Sequence, residues 1–129
     1  MLFTKEQLAC AVPETGWRPP STFPRLDAAK RISIDLETKD PHLIEKGPGE
    51  IRGDGRIAGV GVGVDTGERW YFPIRHEFGS GNMNPEAVLS WCRDELTREH
   101  QPKIGANIMY DLSWLRAEGV HVKGKFIDV

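Results

Sequence analysis

Asp35 and Glu37 are the residues whose spacing first suggests chemistry. They stand in Arg31-Ile32-Ser33-Ile34-Asp35-Leu36-Glu37, where Ile32, Ile34 and Leu36 alternate with polar residues. That alternation reads as a β-strand, and on a strand positions i and i+2 project from the same side, roughly 7 Å apart. Both carboxylates can therefore reach one point above the sheet. Brought together beside an apolar strand, they would repel each other and resist desolvation. A hard divalent cation removes that conflict, and Mg²⁺ favours one or two carboxylates completed by substrate phosphate oxygens. A solvated face of an edge strand would account for the pair as well, although Asp is disfavoured in strands.

The second cluster is Asn107-Ile108-Met109-Tyr110-Asp111. It falls at a strand-to-helix junction, the place where the crevice of an open α/β sheet lies. Asp111, in the first helical turn, is favoured as an anion by the helix dipole. Read alone, this is also what ordinary decoration of a helix N-terminus looks like, and Asn107 could be a plain N-cap.

These residues must be positioned by the elements around them. Arg31–Glu37 is the first strand. Lys39 to Gly55 carries Pro41, Pro48 and four glycines (Gly47, Gly49, Gly53 and Gly55) and reads as a loop. Arg56–Val64 is a second strand, Asp65-Thr66-Gly67 a hairpin turn, and Glu68–Arg75 a third strand, so the three pair antiparallel. Asn84-Pro85-Glu86 then supplies an N-cap, a proline at the first helical position and an early acid. Val88, Leu89, Cys92 and Leu96 continue it as one helical stripe ending near His100-Gln101-Pro102. Lys103–Ala106 is a short strand, Ile108–Glu118 a second helix with Gly119 as its C′ residue, and Lys125–Val129 a fifth strand. The order β-β-β-α-β-α-β is a mixed α/β sheet whose later strands join through helices. Residues 1–30, with Pro13, Pro19, Pro20 and Pro24, read as an irregular arm after a short helix from Thr4, with Trp17 and Phe23 as its anchors.

Composition narrows the class. A chain of 129 residues fits one domain. Its net charge of −2 argues against a basic scaffold that holds nucleic acid by charge alone. Four Trp and five Phe with many aliphatics argue against disorder. No apolar run approaches the roughly 18 residues of a membrane span, and Met1–Cys10 is not a secretory leader. Two cysteines, Cys10 and Cys92, make no disulfide framework, so a reducing cytoplasm is expected.

Together the two clusters resemble a known family. Ile34-Asp35-Leu36-Glu37-Thr38 is similar to the first motif of the DEDD 3′–5′ exonucleases, and Lys103 to Leu112 to their second motif. Gly124–Asp128 resembles the strand that follows in proofreading domains of family A, phage-like DNA polymerases. The resemblance spans residues 31–129 and implies an RNase H-like fold whose central strand carries Asp35 and Glu37. It further implies two Mg²⁺ ions, with Mn²⁺ as an alternative. Asp35 would bridge both, Glu37 would bind one and orient the attacking water, and Asp111 would hold the second ion's shell through water. Thr38, Asn107 and Tyr110 would contact the 3′ end of single-stranded DNA, and nucleoside monophosphates would be released. A polymerase domain downstream and a bacterial or phage-infected cytoplasm are implied likewise.

The third motif of that family, a Tyr or His four residues before a last metal-binding Asp on a later helix, has no counterpart. Asp128 lies on a strand only 17 residues after Asp111 and reads as structural. The expectation is therefore an exonuclease domain that is incomplete after its fifth strand. A stand-alone DEDD exonuclease and a non-catalytic nucleic-acid-binding remnant are the other readings. Gly119 to Lys125 approaches a P-loop, but Phe126 replaces the required Ser or Thr. The alternating Gly59, Gly61 and Gly63 read as a strand with one narrow face, against which something bulky packs or a ligand approaches. The four histidines have no ligand spacing.

Overall fold

The computed structural model describes residues 15–77 and 81–129. The helix expected from Thr4, and Cys10, lie outside the described residues. Five strands, β1 (Ile32–Lys39), β2 (Arg56–Val64), β3 (Arg69–Pro73), β4 (Lys103–Gly105) and β5 (Phe126–Asp128), form one sheet in the order β3-β2-β1-β4-β5. β1–β2 and β2–β3 are antiparallel, whereas β1–β4 and β4–β5 are parallel. The strand bearing Asp35 and Glu37 is therefore central, as the family resemblance implies. Helices α1 (Leu43–Lys46), α2 (Pro85–Glu95) and α3 (Ile108–Ala117) complete the described elements.

Period-2 burial explains β1. Ile32, Ile34 and Leu36 are buried, while Ser33, Asp35 and Glu37 are exposed on the opposite face. The buried face joins Val60, Val62 and Phe72 to Val88, Leu89 and Cys92 of α2 and to Ile108, Leu112 and Leu115 of α3 in one apolar cluster. The helical stripe and the strand alternation thus meet in a single core. Asn84 caps α2 by accepting from the Ala87 amide at 2.9 Å, and Gly119 ends α3 at a positive φ of 79°.

Several boundaries differ from expectation, each for a physical reason. β1 continues to Lys39 because its pairing with β2 survives a bulge: Glu37 opposes Gly59, but Thr38 opposes Ile57. The skipped residue, Ala58, accepts from both Ile74 and Arg75 amides, which ends β3 at Pro73 rather than Arg75. The loop after β1 contains the single turn α1. Helix α2 stops at Glu95 rather than near His100, because residues 95–103 serve another purpose. Glu95 accepts from the Leu26 amide at 2.8 Å, and the Gln101 amide group donates to the carbonyls of Leu26 and Ala29 at 2.6 and 2.9 Å. Trp91 Nε1 donates to Pro24 O at 2.7 Å, and Phe23 stacks on its ring. Residues 23–29 are fastened here, and Leu26 is buried to 1% exposure; it was not among the expected anchors, Trp17 and Phe23.

Lys103 is fully buried, with its ammonium donating to Arg98 O and Gln101 O, both at 2.8 Å. Burial, reinforced by the Arg98 charge, pulls its pKa down to about 8. Between that value and its ordinary 10.5 the folded chain binds fewer protons than the unfolded one, so this group makes stability rise with pH across that window. Buried Cys92, pushed up to about 12, acts in the opposite direction above pH 9. The difference between wild type and Lys103→Met isolates the lysine. Denaturant titrations from pH 7.5 to 10.5 should show wild type gaining on the order of 1–3 kcal/mol relative to the variant; parallel profiles would show that Lys103 titrates normally.

Candidate active site

The site is built around the amide of Leu36. Even-numbered β1 amides face β4, as the bond from Ile32 N to Pro102 O at 3.0 Å shows. Yet β1 and β4 pair only at Ile32–Lys103 and Ser33–Ile104, after which β4 turns into α3. Gly105 lets the departing backbone pass Ile34, since a Cβ there would come within 2.8 Å of the Ile34 carbonyl oxygen. Further along, Leu36 N–H has no strand partner, and Asp111 Oδ2 accepts from it at 3.4 Å. Asp111 is only 5% exposed. Burial pushes its carboxyl up to about 6; the Leu36 bond opposes that shift, and the charges of Asp35 and Glu37 add to it.

Asp35, Glu37 and Asp111 are thus close enough to interact electrostatically, the first two on the open sheet face and the third at the crevice beside it. They are not drawn into one ligand sphere: among the described residues, no three His, Cys, Asp or Glu side chains converge on a point where an ion could sit. The donor set is nonetheless all hard oxygen with an unresolved charge conflict, which fits a cation that keeps much of its water, as Mg²⁺ does.

Thr38 and Tyr110 are brought together, with their hydroxyls 3.1 Å apart. Tyr110 Oη also donates to Asp40 Oδ2 at 3.0 Å, and that same oxygen accepts from the Gly49 amide at 3.1 Å. The network ties α3 to the base of the loop that follows β1. Asn107 stands apart with its side chain exposed. It occupies the N-cap position of α3 but does not cap through its side chain: its φ of 50° is left-handed, and its N–H donates to Asp128 Oδ1 at 2.7 Å. Asn tolerates that conformation better than most residues. Asp128 is accordingly structural, as its position on a strand suggests.

Sequence reasoning missed Asp40, which lies within the presumed loop, and Tyr71 with His76. Tyr71 lies across Gly59 on the carboxylate face, so that a Cβ on Gly59 would collide with its hydroxyl, and that hydroxyl is hydrogen-bonded to His76 Nε2. The glycine alternation was the available signal, but it does not say which side chain fills the space.

No protein-family model matches the chain. A DNA-directed DNA polymerase of Pseudomonas phage M6 is 40% identical over 109 residues, 82% of this chain and 16% of the polymerase. The structure of Brucella melitensis NrnC bound to pGG superposes with a TM-score of 0.53 at 21% identity, covering 81% of this chain and 45% of that one. NrnC with bound Mg²⁺ gives 0.52 at 20% identity over the same shares. The chain shares the mixed α/β, RNase H-like fold of NrnC. The chain spans about a sixth of the phage polymerase and less than half of NrnC. No helix among the described residues is long and apolar enough to cross a membrane.

The carboxylate geometry makes a stability prediction. In chelator, Asp35→Ala should not destabilise the fold, because it removes a repulsive charge; a loss above roughly 2 kcal/mol would mark Asp35 as structural. Asp111→Asn keeps an acceptor for Leu36 N–H. An Asp with a raised folded pKa loses stability as pH climbs from its ordinary value of 3.8 through about 6. The variant should therefore be more stable than wild type by about 1–2 kcal/mol at pH 8, with the gain gone by pH 4.

Proposed function

We propose that residues 31–129 form the 3′–5′ exonuclease domain of a DNA polymerase, with residues 1–30 as an arm. Its reaction is hydrolysis of the 3′-terminal phosphodiester of single-stranded DNA to nucleoside monophosphates, in the service of proofreading during replication. The observation that carries this reading is the buried Asp111 at the crevice where β4 leaves β1, beside Asp35 and Glu37. The 40% identity to a segment of a phage DNA polymerase favours it over a stand-alone exonuclease acting on DNA or RNA.

Asp35 would hold two Mg²⁺ ions, Glu37 one of them, and Asp111 the water shell of the second. When bound, the ions supply Lewis-acid activation of the attacking water and charge stabilisation for the leaving 3′ oxygen. The chain's own residues do the rest. Glu37, exposed on the sheet face, orients the water. The Thr38 and Tyr110 hydroxyls, held to each other and to Asp40, present a fixed polar edge to the terminal nucleotide, and the exposed Asn107 side chain contacts it from the start of α3. A third-motif water-positioning group is not among these residues, so this chain alone is expected to degrade a 3′-labelled strand only slowly.

The test is binding of a short oligothymidylate with a 3′-terminal phosphorothioate linkage. Mg²⁺ should raise affinity at least tenfold over EDTA, and Asp35→Ala with Glu37→Ala should remove that gain. Affinity indifferent to both metal and substitutions would overturn the assignment.

A further inference from the structure

The open sheet face continues from Asp35 away from α3 into a shallow groove of about 430 Å³, within the ~300–1,000 Å³ range of small-ligand clefts. Its floor is Gly61 and Gly63, and its walls include Trp17, Tyr71 and Arg69, with Ser33 and Asp35 along the β1 side. Glycine within a strand is less favourable than alanine. β2 nevertheless carries it at all three positions opposite Ser33, Asp35 and Glu37. At Gly59 the reason is Tyr71, whose ring needs the space. At Gly61 and Gly63 a Cβ would crowd Asp35 O at 2.9 Å and Ser33 Oγ at 2.6 Å. The consequence is a bare backbone floor between an aromatic wall and the carboxylates.

The Tyr71 side of the aromatic wall is held in place. The Tyr71 hydroxyl is held by His76, whose backbone N–H and C=O are both bound by the Asn82 side chain at 3.0 and 2.9 Å. Trp17 meets Tyr71 at a centroid distance of 6.0 Å and an angle of 49°, yet remains 51% exposed. Exposed Arg69 enters no ion pair among the described residues. Stacking surface, unpaired guanidinium and bare floor, in line with carboxylates suited to a phosphate-bound cation, describe a nucleotide. An acidic peptide would meet Asp35 and Glu37, and a purely apolar partner would strand Arg69.

We infer that this groove binds one nucleotide of a single strand, its base stacked on Trp17 and Tyr71 and its phosphate on Arg69, next to the unit whose scissile phosphate faces Asp35. The inference rests on the exonuclease reading for the position of that neighbouring unit, and the two can fail separately. The experiment measures Mg²⁺-dependent binding of a phosphorothioate octathymidylate and of thymidine 5′-monophosphate, which supplies only the terminal unit, to the full chain, with circular dichroism to confirm that each variant folds. Trp17→Ala and Arg69→Ala should each weaken the octamer roughly five- to fiftyfold and the mononucleotide less than about twofold. Trp17→Phe should restore most of the octamer's affinity, and octamer binding should quench indole emission in wild type but not in Trp17→Ala. Unchanged octamer affinity in both variants would overturn the groove, as would an equal loss for the mononucleotide, since the residues would then only shape the carboxylate site. If Asp35→Ala leaves both ligands unaffected while Trp17 and Arg69 still matter for the octamer, the groove stands and the exonuclease assignment falls.

Discussion

The structure turns on one unmet backbone donor. Because β4 is short and leaves β1 after Ser33, the Leu36 amide faces a gap instead of a strand. An unsatisfied amide there would cost on the order of 1–3 kcal/mol, so a side-chain acceptor must fill the gap. Asp111 does so from the first turn of α3, and that choice places a carboxylate, rather than a neutral amide or hydroxyl, behind the strand that already carries Asp35 and Glu37. Asn107 in its left-handed conformation and Asp128 holding its N–H set where α3 begins, and hence where Asp111 lands. The crevice, the buried acid and the raised pKa all follow from the divergence of two strands.

Most of this framework was legible in the residues. Ile32, Ile34 and Leu36 alternate without a break, so the strand and its buried face follow from period alone. Asn84-Pro85 and the stripe through Val88, Leu89 and Cys92 give α2 for the same kind of reason. The central place of β1 came from the family resemblance, not from local pattern, because strand order depends on contacts between distant segments.

What was not legible is what depends on tertiary partners. Nothing local marks Gln101 as buried, since a Gln in a polar turn before proline is ordinarily solvated; it is buried because Leu26 and Ala29 offer it carbonyls from 72–75 residues away. Lys103 reads as a strand-end cation, and only the folded turn shows that its ammonium holds the carbonyls of Arg98 and Gln101. Asn107 has the composition of an N-cap but the geometry of a left-handed corner, because the acceptor for its N–H arrives on β5. The bulge at Ala58 leaves no sequence signature, yet it sets the pairing beyond Glu37.

On the proposed reading, the site would let a chain of slightly negative net charge meet a polyanion. Asp35 and Glu37 lie exposed, and their charges add to the burial that raises the pKa of Asp111. A shared cation would relieve that repulsion. The phosphate would then be attracted by the metal rather than by a basic surface. Several cations are already held in ion pairs among the described residues: Lys39 and Arg56 with Glu77, Arg93 with Glu86, Arg98 with Glu95 and Arg75 with Glu118. How a nucleic-acid strand would lie across the open face then depends on which side chains line it, rather than on the sum of the chain's charges.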